Sequence, residues 1–490
     1  ARRRSSKPLA AGSSNCDPPT VRSLILDRFR AVSGQPPRAK TRAPASARGL
    51  IRVVLGRLML AVMLGASALT AGPAGALDPQ RLITQYTHRV WTIGSNGLGS
   101  APLSITQAPD GYLLFGAQDG IYRFNGERFQ RWQPWGSRSR PVRFINEMLI
   151  ARDGSLYLSL RDGLARYRKG KLFFYERQLV EPSIFEDRDG RVWVGNLGLN
   201  ETRNPLCSVN GNHVNCARAS DADECSFFLR AAPDPRGGVL SFAKEGVCRV
   251  HSAGRGSRLD YPGKQSMGFA RPVWDGAGHV YVLLRNSTQE RYLETDGLRW
   301  SKIPGSEVIA DGRTFFRDRQ GVLWVGTWRS GLWRIVNGKA EHYTRADGLS
   351  GNNVAAIYED RGGSVWVATT EGVDQFRASP VVRFGAREGL SGDRPANLFV
   401  TRSGELWVAN VFGVDAFRGG RLLTPAPRVS SRGDALSVVQ DSDGRAWSLV
   451  GGIGIFYENE RQTVRNALRV PLADPQDLAA TPDGNVWTGN

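Results

Sequence analysis

Short alternating segments separated by glycine-rich turns make up the chain from about residue 100 onward. Each unit has a glycine, a variable residue, an aliphatic residue, usually a tryptophan, then a small-residue turn and a second glycine, as in GSVWVATTEGV from Gly363. Alternation of apolar and polar residues predicts β-strands, and no helical spacing of apolar residues competes with it. We therefore predict an all-β chain of short strands.

The leading glycine of this unit recurs at a nearly constant interval of 36 to 47 residues, with a mean of about 41. It stands at Gly111, Gly154, Gly190, Gly237, Gly278, Gly321, Gly363, Gly404, Gly444 and Gly484. A period of about 40–45 residues with several strands per unit is typical of β-propeller blades. The pattern predicts a β-propeller of four-stranded blades and excludes a helical solenoid.

The tryptophans of the repeat hold one register position, the third place after the leading glycine. They are Trp193, Trp324, Trp366, Trp407, Trp447 and Trp487. We place them on the second strand of each blade, strand B, after an innermost strand A and before strands C and D. One position per blade indicates a shared role in filling the space between sheets, because a ligand site would not need one tryptophan per blade.

The repeat spacing divides the chain into two propellers. Seven leading glycines fall in residues 77–385, which we predict to be a seven-bladed ring, and residues 386–490 begin a second propeller that is cut off. The segment 85–88 matches the late segment 342–344. We therefore expect strand 82–92 to complete the last blade, so that no sheet edge stays exposed.

Charge is concentrated at the start of the chain. The formal net charge is +19, but residues 1–76 hold 13 of the 65 Lys and Arg and 2 of the 46 Asp and Glu, which leaves +8 for the rest. A surplus of that size without basic clusters gives little support to a phosphate-binding surface, so no nucleic-acid partner is expected. The 41% hydrophobic content excludes a disordered polymer.

The first 76 residues are interpreted as two segments outside the propeller. Residues 1–46 lack periodicity and are expected to be disordered or translated upstream sequence. Residues 47–76 have basic residues, an apolar run over 58–69 and Ala74-Gly75-Ala76, the order of a signal peptide cleaved after Ala76. A membrane anchor is the alternative, but spanning needs about 20 apolar residues and this run has about 12.

Four cysteines lie close together in blades 3 and 4, while Cys16 lies in the leader. In an exported chain, Cys207, Cys216, Cys225 and Cys248 indicate two disulfides, with three possible pairings. We choose Cys207–Cys216 and Cys225–Cys248, the local pairing. Zinc is the alternative, but the spacing lacks a Cys-x-x-Cys pair.

Other candidate chemistry is sparse. Asp187-Arg188-Asp189-Gly190 and Asp441-Ser442-Asp443-Gly444 resemble part of a calcium loop but lack the later ligands, so we interpret them as plain β-turns. The histidines are scattered, and no Ser-His-Asp order, metal triad or phosphate loop appears. The sequence predicts no catalytic residues, no metal site and no cofactor.

A second signature, Gly-Leu followed by glycine or serine, lies between strand D and the next strand A. It occurs in segments 96–100, 347–352 and 388–393. With the opening segments Gln107-Ala108-Pro109-Asp110-Gly111 and Asp119-Gly120-Ile121-Tyr122-Arg123-Phe124, it resembles the two-component regulator propeller repeats in the periplasmic part of bacterial membrane receptors. The resemblance covers residues 82–490. In blades 4 and 5, Leu240 and Tyr281 replace the tryptophan.

This resemblance implies a propeller that senses a ligand outside the inner membrane. The family passes its signal through an Ig-like domain and a transmembrane helix to a histidine kinase or a diguanylate cyclase, none of which lies in these 490 residues. It implies an exported chain, periplasmic in an inner-membrane receptor. Membrane attachment through a downstream segment and a homodimer through the full-length receptor are also expected.

Two other classes of function stay open, because a fold alone does not choose among them. One is a secreted propeller enzyme of the lyase or quinone-dependent dehydrogenase type, which needs a histidine or metal cluster at the central mouth. The other is a scaffold that binds protein partners. The Gly-Leu-Ser loops and the leader favour the sensor.

The turns between strands B and C are the candidate ligand site, because propeller loops at that end converge around the channel mouth. They carry unlike side chains beside fixed glycines: Gln118, Asp119, Arg161, Asp162, Trp328, Arg329, Thr370 and Glu371. Arg161, Trp328 and Arg329 suit a small polar molecule or carbohydrate through stacking and bidentate hydrogen bonds. The alternative is that these are ordinary exposed turn residues.

Overall fold

The structure is a computed structural model, and most of the chain from residue 75 onward is described. The described residues are 75–136, 140–175, 179, 181–195, 206–216, 230–234, 238–242, 246–250, 258–262, 266–267, 272–274, 279–285, 290–295, 299–410, 413–419, 421–424, 435–444, 446–450, 453–458, 463–466 and 477–489. The predicted upstream segment 1–46 and nearly all of the predicted signal peptide lie outside them. No helix in these ranges is long and apolar enough to cross a membrane.

Antiparallel sheets with the strand order A-B-C-D follow one another along the chain, as the alternating pattern predicts. Blades 1 to 3 contain β2 (Pro102–Gln107), β3 (Leu113–Ala117), β4 (Ile121–Phe124), β5 (Phe129–Arg131), β6 (Ile145–Ile150), β7 (Leu156–Leu160), β8 (Gly163–Arg168), β9 (Lys171–Phe174), β10 (Ser183–Glu186), β11 (Val192–Gly195), β12 (Leu206–Asn210) and β13 (His213–Cys216).

Blades 4 to 6 continue this order, except that strand A of blade 5 is split into two short pieces that both pair with its strand B. The strands are β14 (Arg230–Pro233), β15 (Val239–Phe242), β16 (Gly246–Val250), β17 (Arg258–Asp260), β18 (Ser266–Met267), β19 (Val273–Trp274), β20 (Val280–Arg285), β21 (Glu290–Thr295), β22 (Trp300–Lys302), β23 (Gly312–Arg317), β24 (Leu323–Thr327), β25 (Leu332–Val336) and β26 (Lys339–Tyr343).

Blade 7 takes its outer strand from the start of the described chain. Its strands are β1 (Thr87–Thr92), β27 (Val354–Glu359), β28 (Val365–Thr369) and β29 (Gly372–Arg377). Thr87 lies opposite Arg377 and Thr92 opposite Gly372 in the antiparallel pair of β1 and β29. The predicted closure is confirmed, and it removes the free edge that blade 7 would otherwise expose.

The inner strands of these seven sheets contact one another in a closed series. β2 contacts β6 on one side and β27 on the other, and each inner strand between them contacts the next. The all-β propeller of four-stranded blades is therefore confirmed, and the series is consistent with the predicted seven blades. The boundary between two propellers at residues 385 and 386 stays a prediction.

Further sheets follow blade 7 with the same order. They are formed by β30 (Pro395–Val400), β31 (Leu406–Asn410), β32 (Gly413–Arg418), β33 (Arg421–Thr424), β34 (Ala435–Gln440), β35 (Ala446–Val450), β36 (Ile453–Glu458), β37 (Thr463–Asn466), β38 (Asp477–Ala480) and β39 (Val486–Gly489). The 3₁₀ turns in the described residues are Ile83–Gln85, Ser306–Val308, Arg345–Asp347 and Ala386–Glu388.

The repeated tryptophan fills the space between sheets and is also anchored by a hydrogen bond. Trp324 is fully buried, and its indole Nε1 donates to Asp318 Oδ2, six residues earlier, at 2.8 Å. Trp366 donates to Asp360 Oδ2 in the same way at 2.7 Å. A buried indole N–H needs such an acceptor. In these two blades the predicted packing role is therefore joined to a polar contact with the A-to-B turn.

The same hydrogen bond from tryptophan to aspartate occurs in the two segments that resemble part of a calcium loop. Asp187 Oδ1 accepts the backbone N–H groups of Asp189 at 3.0 Å and Arg191 at 2.9 Å, while its Oδ2 accepts Trp193 Nε1 at 2.6 Å. Asp441 likewise binds Trp447. Both segments form β-turns, closed by hydrogen bonds from the Gly190 N–H to the Asp187 carbonyl and from the Gly444 N–H to the Asp441 carbonyl, each at 3.1 Å.

The Gly-Leu-Ser loops anchor the connection from strand D to strand A. Leu349 is buried, and the Ser350 hydroxyl and backbone N–H both donate to the buried carboxylate of Asp374 on β29. Ser391 makes the equivalent pair of bonds to Asp415 on β32. The signature that supports the family resemblance is therefore a structural anchor of the connections at 347–352 and 388–393.

One predicted disulfide lies in blade 3. Cys207 on β12 stands directly opposite Cys216 on β13, and the two are joined by a disulfide. Cys248 is also disulfide-bonded. Cys225 lies outside the described residues, so the pairing of Cys225 with Cys248 stays a prediction.

Candidate functional site

The antiparallel strand order places every turn between strands B and C at the end of the sheet where strand A begins. The predicted residues lie in four such turns: Gln118 and Asp119 after β3, Arg161 and Asp162 after β7, Trp328 and Arg329 after β24, and Thr370 and Glu371 after β28. The loops from strand D to strand A reach the same end. This end of the ring is called the mouth face below.

Backbone hydrogen bonds tie the turns of the mouth face to the residues that precede strand A. The Trp328 N–H donates to the Asp311 carbonyl at 3.0 Å, and the Thr370 N–H donates to the Asn353 carbonyl at 3.0 Å. The Phe144 N–H donates to the Gln118 carbonyl of the preceding blade at 2.8 Å. The turns that carry the variable side chains are therefore hydrogen-bonded to the segments beside them.

The Asp119 side chain holds the loops around it together by hydrogen bonds. Its carboxylate accepts hydrogen bonds from Tyr122 Oη at 2.7 Å, from the Ser100 hydroxyl and from Arg131. Burial raises the pKa of Asp119, but the hydrogen bonds from Ser100 and Tyr122 and the charge of Arg131 outweigh it and lower the pKa below its usual value. We assign Asp119 to the support of the loop.

Three other charged residues of the predicted site form exposed ion pairs with neighbouring loops. Asp162 Oδ2 lies 2.6 Å from Arg140 Nη2, and Glu371 Oε2 lies 2.6 Å from Arg345 Nη1. Arg329 Nε lies 3.2 Å from Asp311 Oδ2 and its side chain is 85% exposed. Exposed pairs of this kind are weak, so a ligand can displace them at small cost.

Arg161 and Phe144 form one exposed pair on the mouth face. The Arg161 Cζ lies 5.4 Å from the centre of the Phe144 ring, and Phe144 is 38% exposed. The backbone of Phe144 has a φ of +50°, which is rare for an aromatic residue and needs support from its surroundings. Sequence reasoning named Arg161 but missed Phe144, because nothing in the sequence signals the positive φ.

Trp328 forms the second exposed pair. The Arg313 Cζ lies 4.3 Å from the centre of the Trp328 ring, and Trp328 is 39% exposed. The Arg313 guanidinium also donates to the side-chain oxygen of Asn353. Arg313 was missed in the sequence because it lies on strand A, where alternation alone does not reveal a bulge.

β-Bulges aim additional side chains at the mouth face. The register shifts between Gly312 and Thr314 and between Ile145 and Glu147, so that Arg313 and its counterpart are the extra residues. That counterpart is Asn146, whose buried amide nitrogen has no hydrogen-bond partner. Bulges commonly redirect side chains next to functional sites.

The described residues contain no cluster of three His, Cys, Asp or Glu side chains that could hold a metal ion. One Ser-Asp-His group is present at the blade 7 seam. His88 Nε2 lies 2.8 Å from Asp374 Oδ1, and Ser350 donates to the same carboxylate. The aspartate stands between the other two, so the serine has no bond to the histidine and lacks the base that a nucleophile requires.

Two segments of the chain match a known family of repeats. A family profile described as "Two component regulator propeller" matches residues 178–198 and 348–371. The second match contains the Gly-Leu-Ser loop and β28, the segments on which the resemblance rests. The chain therefore carries two-component regulator propeller repeats, and the resemblance is confirmed. No curated protein sequence matches the chain.

A solved structure shares the fold at low sequence identity. The extracellular domain of the putative hybrid two component system BT3049 from B. thetaiotaomicron aligns with a TM-score of 0.57 and 17% identity, over 82% of this chain and 58% of that one. The chain thus spans less than two thirds of that domain. The extracellular domain of BT4673 from the same organism aligns with a TM-score of 0.48 and 14% identity, over 82% of this chain and 57% of that one.

Proposed function

We propose that this chain is the ligand-sensing propeller region of a bacterial membrane receptor of the two-component type. The observation that carries the proposal is the match to regulator propeller repeats together with a fold found in an extracellular domain of a putative hybrid two component system. The output domain of the receptor is a histidine kinase or a diguanylate cyclase under this proposal, and the receptor acts as a homodimer.

The proposal places the chain outside the inner membrane, in the periplasm. The disulfide between Cys207 and Cys216 supports it, because disulfides persist in oxidising compartments. The apolar run over 58–69 is then the core of a signal peptide. Attachment to the membrane occurs through a segment of the receptor downstream of these residues.

The proposed ligand site is the mouth face. Two features support it: the Arg161–Phe144 pair and the Trp328–Arg313 pair each present an aromatic surface beside a guanidinium group. Such pairs suit a small polar ligand with a ring, such as a carbohydrate, because the ring stacks on the aromatic face and its oxygens accept hydrogen bonds from arginine. Gln118 and Thr370 add exposed polar groups to the same face.

The test replaces these side chains in the complete receptor. Trp328→Ala and Arg161→Ala are compared with Lys171→Ala, which changes an exposed residue of outer strand β9. We expect the two mouth variants to shift the ligand concentration for half-maximal output at least tenfold, while the control leaves it unchanged. Arg329→Ala is expected to have a smaller effect, because its partner Asp311 holds it at the rim.

A contrary result has a defined meaning. Unchanged ligand sensitivity in both mouth variants, with circular dichroism showing an intact fold, would move the site away from the mouth face. The interface between the two predicted propellers would then be the next region to test. If the output of the wild-type receptor does not depend on any ligand, and the mouth variants still lose output, the scaffold class would be favoured instead.

A further inference from the structure

An open groove lies between blades 7 and 1, at the end of the sheets opposite the mouth face. It has a volume of about 470 Å³, which is large enough for a small organic molecule. The groove is lined on one side by β1 and β29 of blade 7 and on the other by the A-to-B turn and strand C of blade 1. We refer to it as the seam groove, because it follows the place where β1 closes the ring.

Three polar side chains of blade 7 project into the seam groove from one face of the sheet. Arg89 on β1 stands directly opposite Gln375 on β29, and Arg377 lies two residues further along β29. Residues directly opposite in an antiparallel pair, and residues two apart on a strand, share one face of the sheet. All three line the groove.

These three side chains lack the partners that their chemistry calls for. Within the described ranges, Arg89, Gln375 and Arg377 make no side-chain hydrogen bond or ion pair. Gln375 is 9% exposed as a residue, but its amide atoms are not among the buried side-chain atoms that lack a partner, so the amide is open to the groove. Its amide and two guanidinium groups therefore offer unused hydrogen-bonding capacity around one cavity.

The equivalent groove between blades 6 and 7 is filled by the chain itself. The Arg334 position on β25 corresponds to Gln375, since each stands opposite the blade tryptophan. Arg334 is fully buried, and it donates to Tyr86 Oη at 2.6 Å and to the Pro79 carbonyl at 2.8 Å. The N-terminal segment thus satisfies a polar side chain between blades 6 and 7.

The floor of the seam groove is apolar and its opposite wall is aromatic. Phe124 and Trp366 form the floor and are buried, whereas Tyr112 is 38% exposed. The Arg123 guanidinium covers one face of Tyr112 at 3.5 Å from the ring centre and pairs with Asp110 at 3.0 Å. The carboxylate of Asp110 is thereby paired, and that of Asp360, which also lines the groove, accepts hydrogen bonds from Trp366 and the Ser364 backbone. Arg89 and Arg377 are the cations of the lining that face no carboxylate partner in the described part of the chain.

We propose that the seam groove binds a small organic anion, in which an oxyanion group meets Arg89, Arg377 and the Gln375 amide and a ring-sized body rests on the apolar floor. Guanidinium groups match the two oxygens of a carboxylate and bind sulfate and phosphate oxygens in the same way. The amide of Gln375, which is open to the groove, gains a partner, and the aromatic floor favours a flat body. The site is separate from the mouth face and does not depend on it.

Binding at this place has a consequence for stability. The groove joins the closing strand β1, the last blade and the first blade, which are distant in sequence. A ligand that binds the closed ring and not the unfolded chain stabilises the closed ring by mass action. The thermal midpoint of the complete chain is therefore expected to rise with ligand concentration.

The experiment uses benzoate as the probe, with benzamide as its uncharged counterpart and inorganic phosphate as an anion without a ring. Isothermal titration calorimetry and thermal unfolding of the complete chain measure binding. We expect benzoate to bind more tightly than phosphate, and benzamide to give no measurable binding. The double variant Arg89→Gln with Arg377→Gln should weaken benzoate binding at least tenfold, while Arg128→Gln, an exposed arginine of blade 1, leaves it unchanged.

A second variant guards against a folding defect. Gln375→Leu replaces the amide with an apolar side chain of similar size in a mostly buried position. We therefore expect an intact fold and weaker benzoate binding. Equal benzoate affinity in the wild type and both groove variants would overturn the proposal, as would equal binding of benzamide. Phosphate binding as tight as benzoate would overturn the part of the proposal that assigns a role to the apolar floor.

Discussion

At the scale of single residues, the repeat is held by buried carboxylates that accept several hydrogen bonds each. Asp318 and its counterparts bind the tryptophan of strand B, and Asp374 binds the serine of the Gly-Leu-Ser loop. Both carboxylates are almost fully buried. A buried charge is tolerated because hydrogen bonds replace the lost water, which makes each donor a sensitive point.

Removing the donor to Asp374 should destabilise the ring. The Ser350→Ala variant deletes the hydroxyl that donates to this buried carboxylate. Hydrogen bonds to charged groups contribute about 1.5–3 kcal/mol, so we expect the free energy of unfolding in urea to fall by about that amount. Ser95→Ala, in an exposed turn, is the control and should change it by less than about 0.5 kcal/mol. Equal effects of the two substitutions would contradict the anchoring role of Ser350.

Asp318 gives a prediction about pH. Burial raises its pKa above the usual value of 3.8, and hydrogen bonds from Trp324 and the Val322 backbone only partly oppose this. A carboxyl whose folded pKa is raised adds stability at low pH that is lost as the pH rises through the folded pKa. The advantage of the wild type over Asp318→Asn should therefore shrink between pH 3.5 and neutrality in urea unfolding. If the advantage of the wild type grows over this range, the pKa of Asp318 in the folded protein is lowered and the prediction is wrong.

At the scale of elements, the segment before β1 packs against the ring as well as β1 itself. Leu77, Ile83 and Tyr86 are part of the core between blades 6 and 7. Gly363 shows how closely this segment lies against blade 7, since a Cβ at that position would come within 2.7 Å of the Ala76 Cα. Gly363 also has a φ of +80°, a conformation that glycine adopts without strain. Residue 363 is thus restricted by the turn and by the packed segment.

Arg334 is the main polar contact to this segment. It donates to Tyr86, Pro79 and Arg81 and lies 3.6 Å from Glu341. The Arg334→Ala variant leaves Glu341 without its ion pair, and breaking a buried pair costs about 3–5 kcal/mol. We expect a loss of that size in urea unfolding and faster proteolytic cleavage near residues 77–86. Arg128→Ala is the matched exposed control, and a similar cleavage rate in both variants would refute the anchoring role.

At the scale of the whole molecule, the disulfides bear on the proposed export of the chain. Cys207–Cys216 joins neighbouring strands of blade 3. Cys248 is also disulfide-bonded, and the predicted partner of Cys248 is Cys225. Exported chain that is denatured without reductant should show no free thiol among Cys207, Cys216, Cys225 and Cys248 when treated with a thiol reagent. Reduced chain gives the reference value for full labelling. One free thiol in the unreduced sample would rule out the two-disulfide prediction.

The blades and the closure of the ring could be predicted because their signals are local. A leading glycine recurs in every blade, and a tryptophan at one register position recurs in most of the later ones, and each acts within about ten residues of itself. The sequence match between segments 85–88 and 342–344 predicted that β1 completes blade 7. Cys207 and Cys216 also lie close in sequence on adjacent strands, so their pairing was accessible to the same reasoning.

The sites depended on contacts that no local pattern encodes. The mouth face includes Arg313 because a bulge on strand A turns that side chain toward Trp328. The seam groove exists because β1 and β29 bring Arg89 beside Gln375, 286 positions away in the chain. The strands, the turns and the repeat were predictable because short-range sterics and the alternation of apolar and polar residues encode them. The meeting of particular polar side chains was not predictable, because it follows from how the closed ring brings distant strands together.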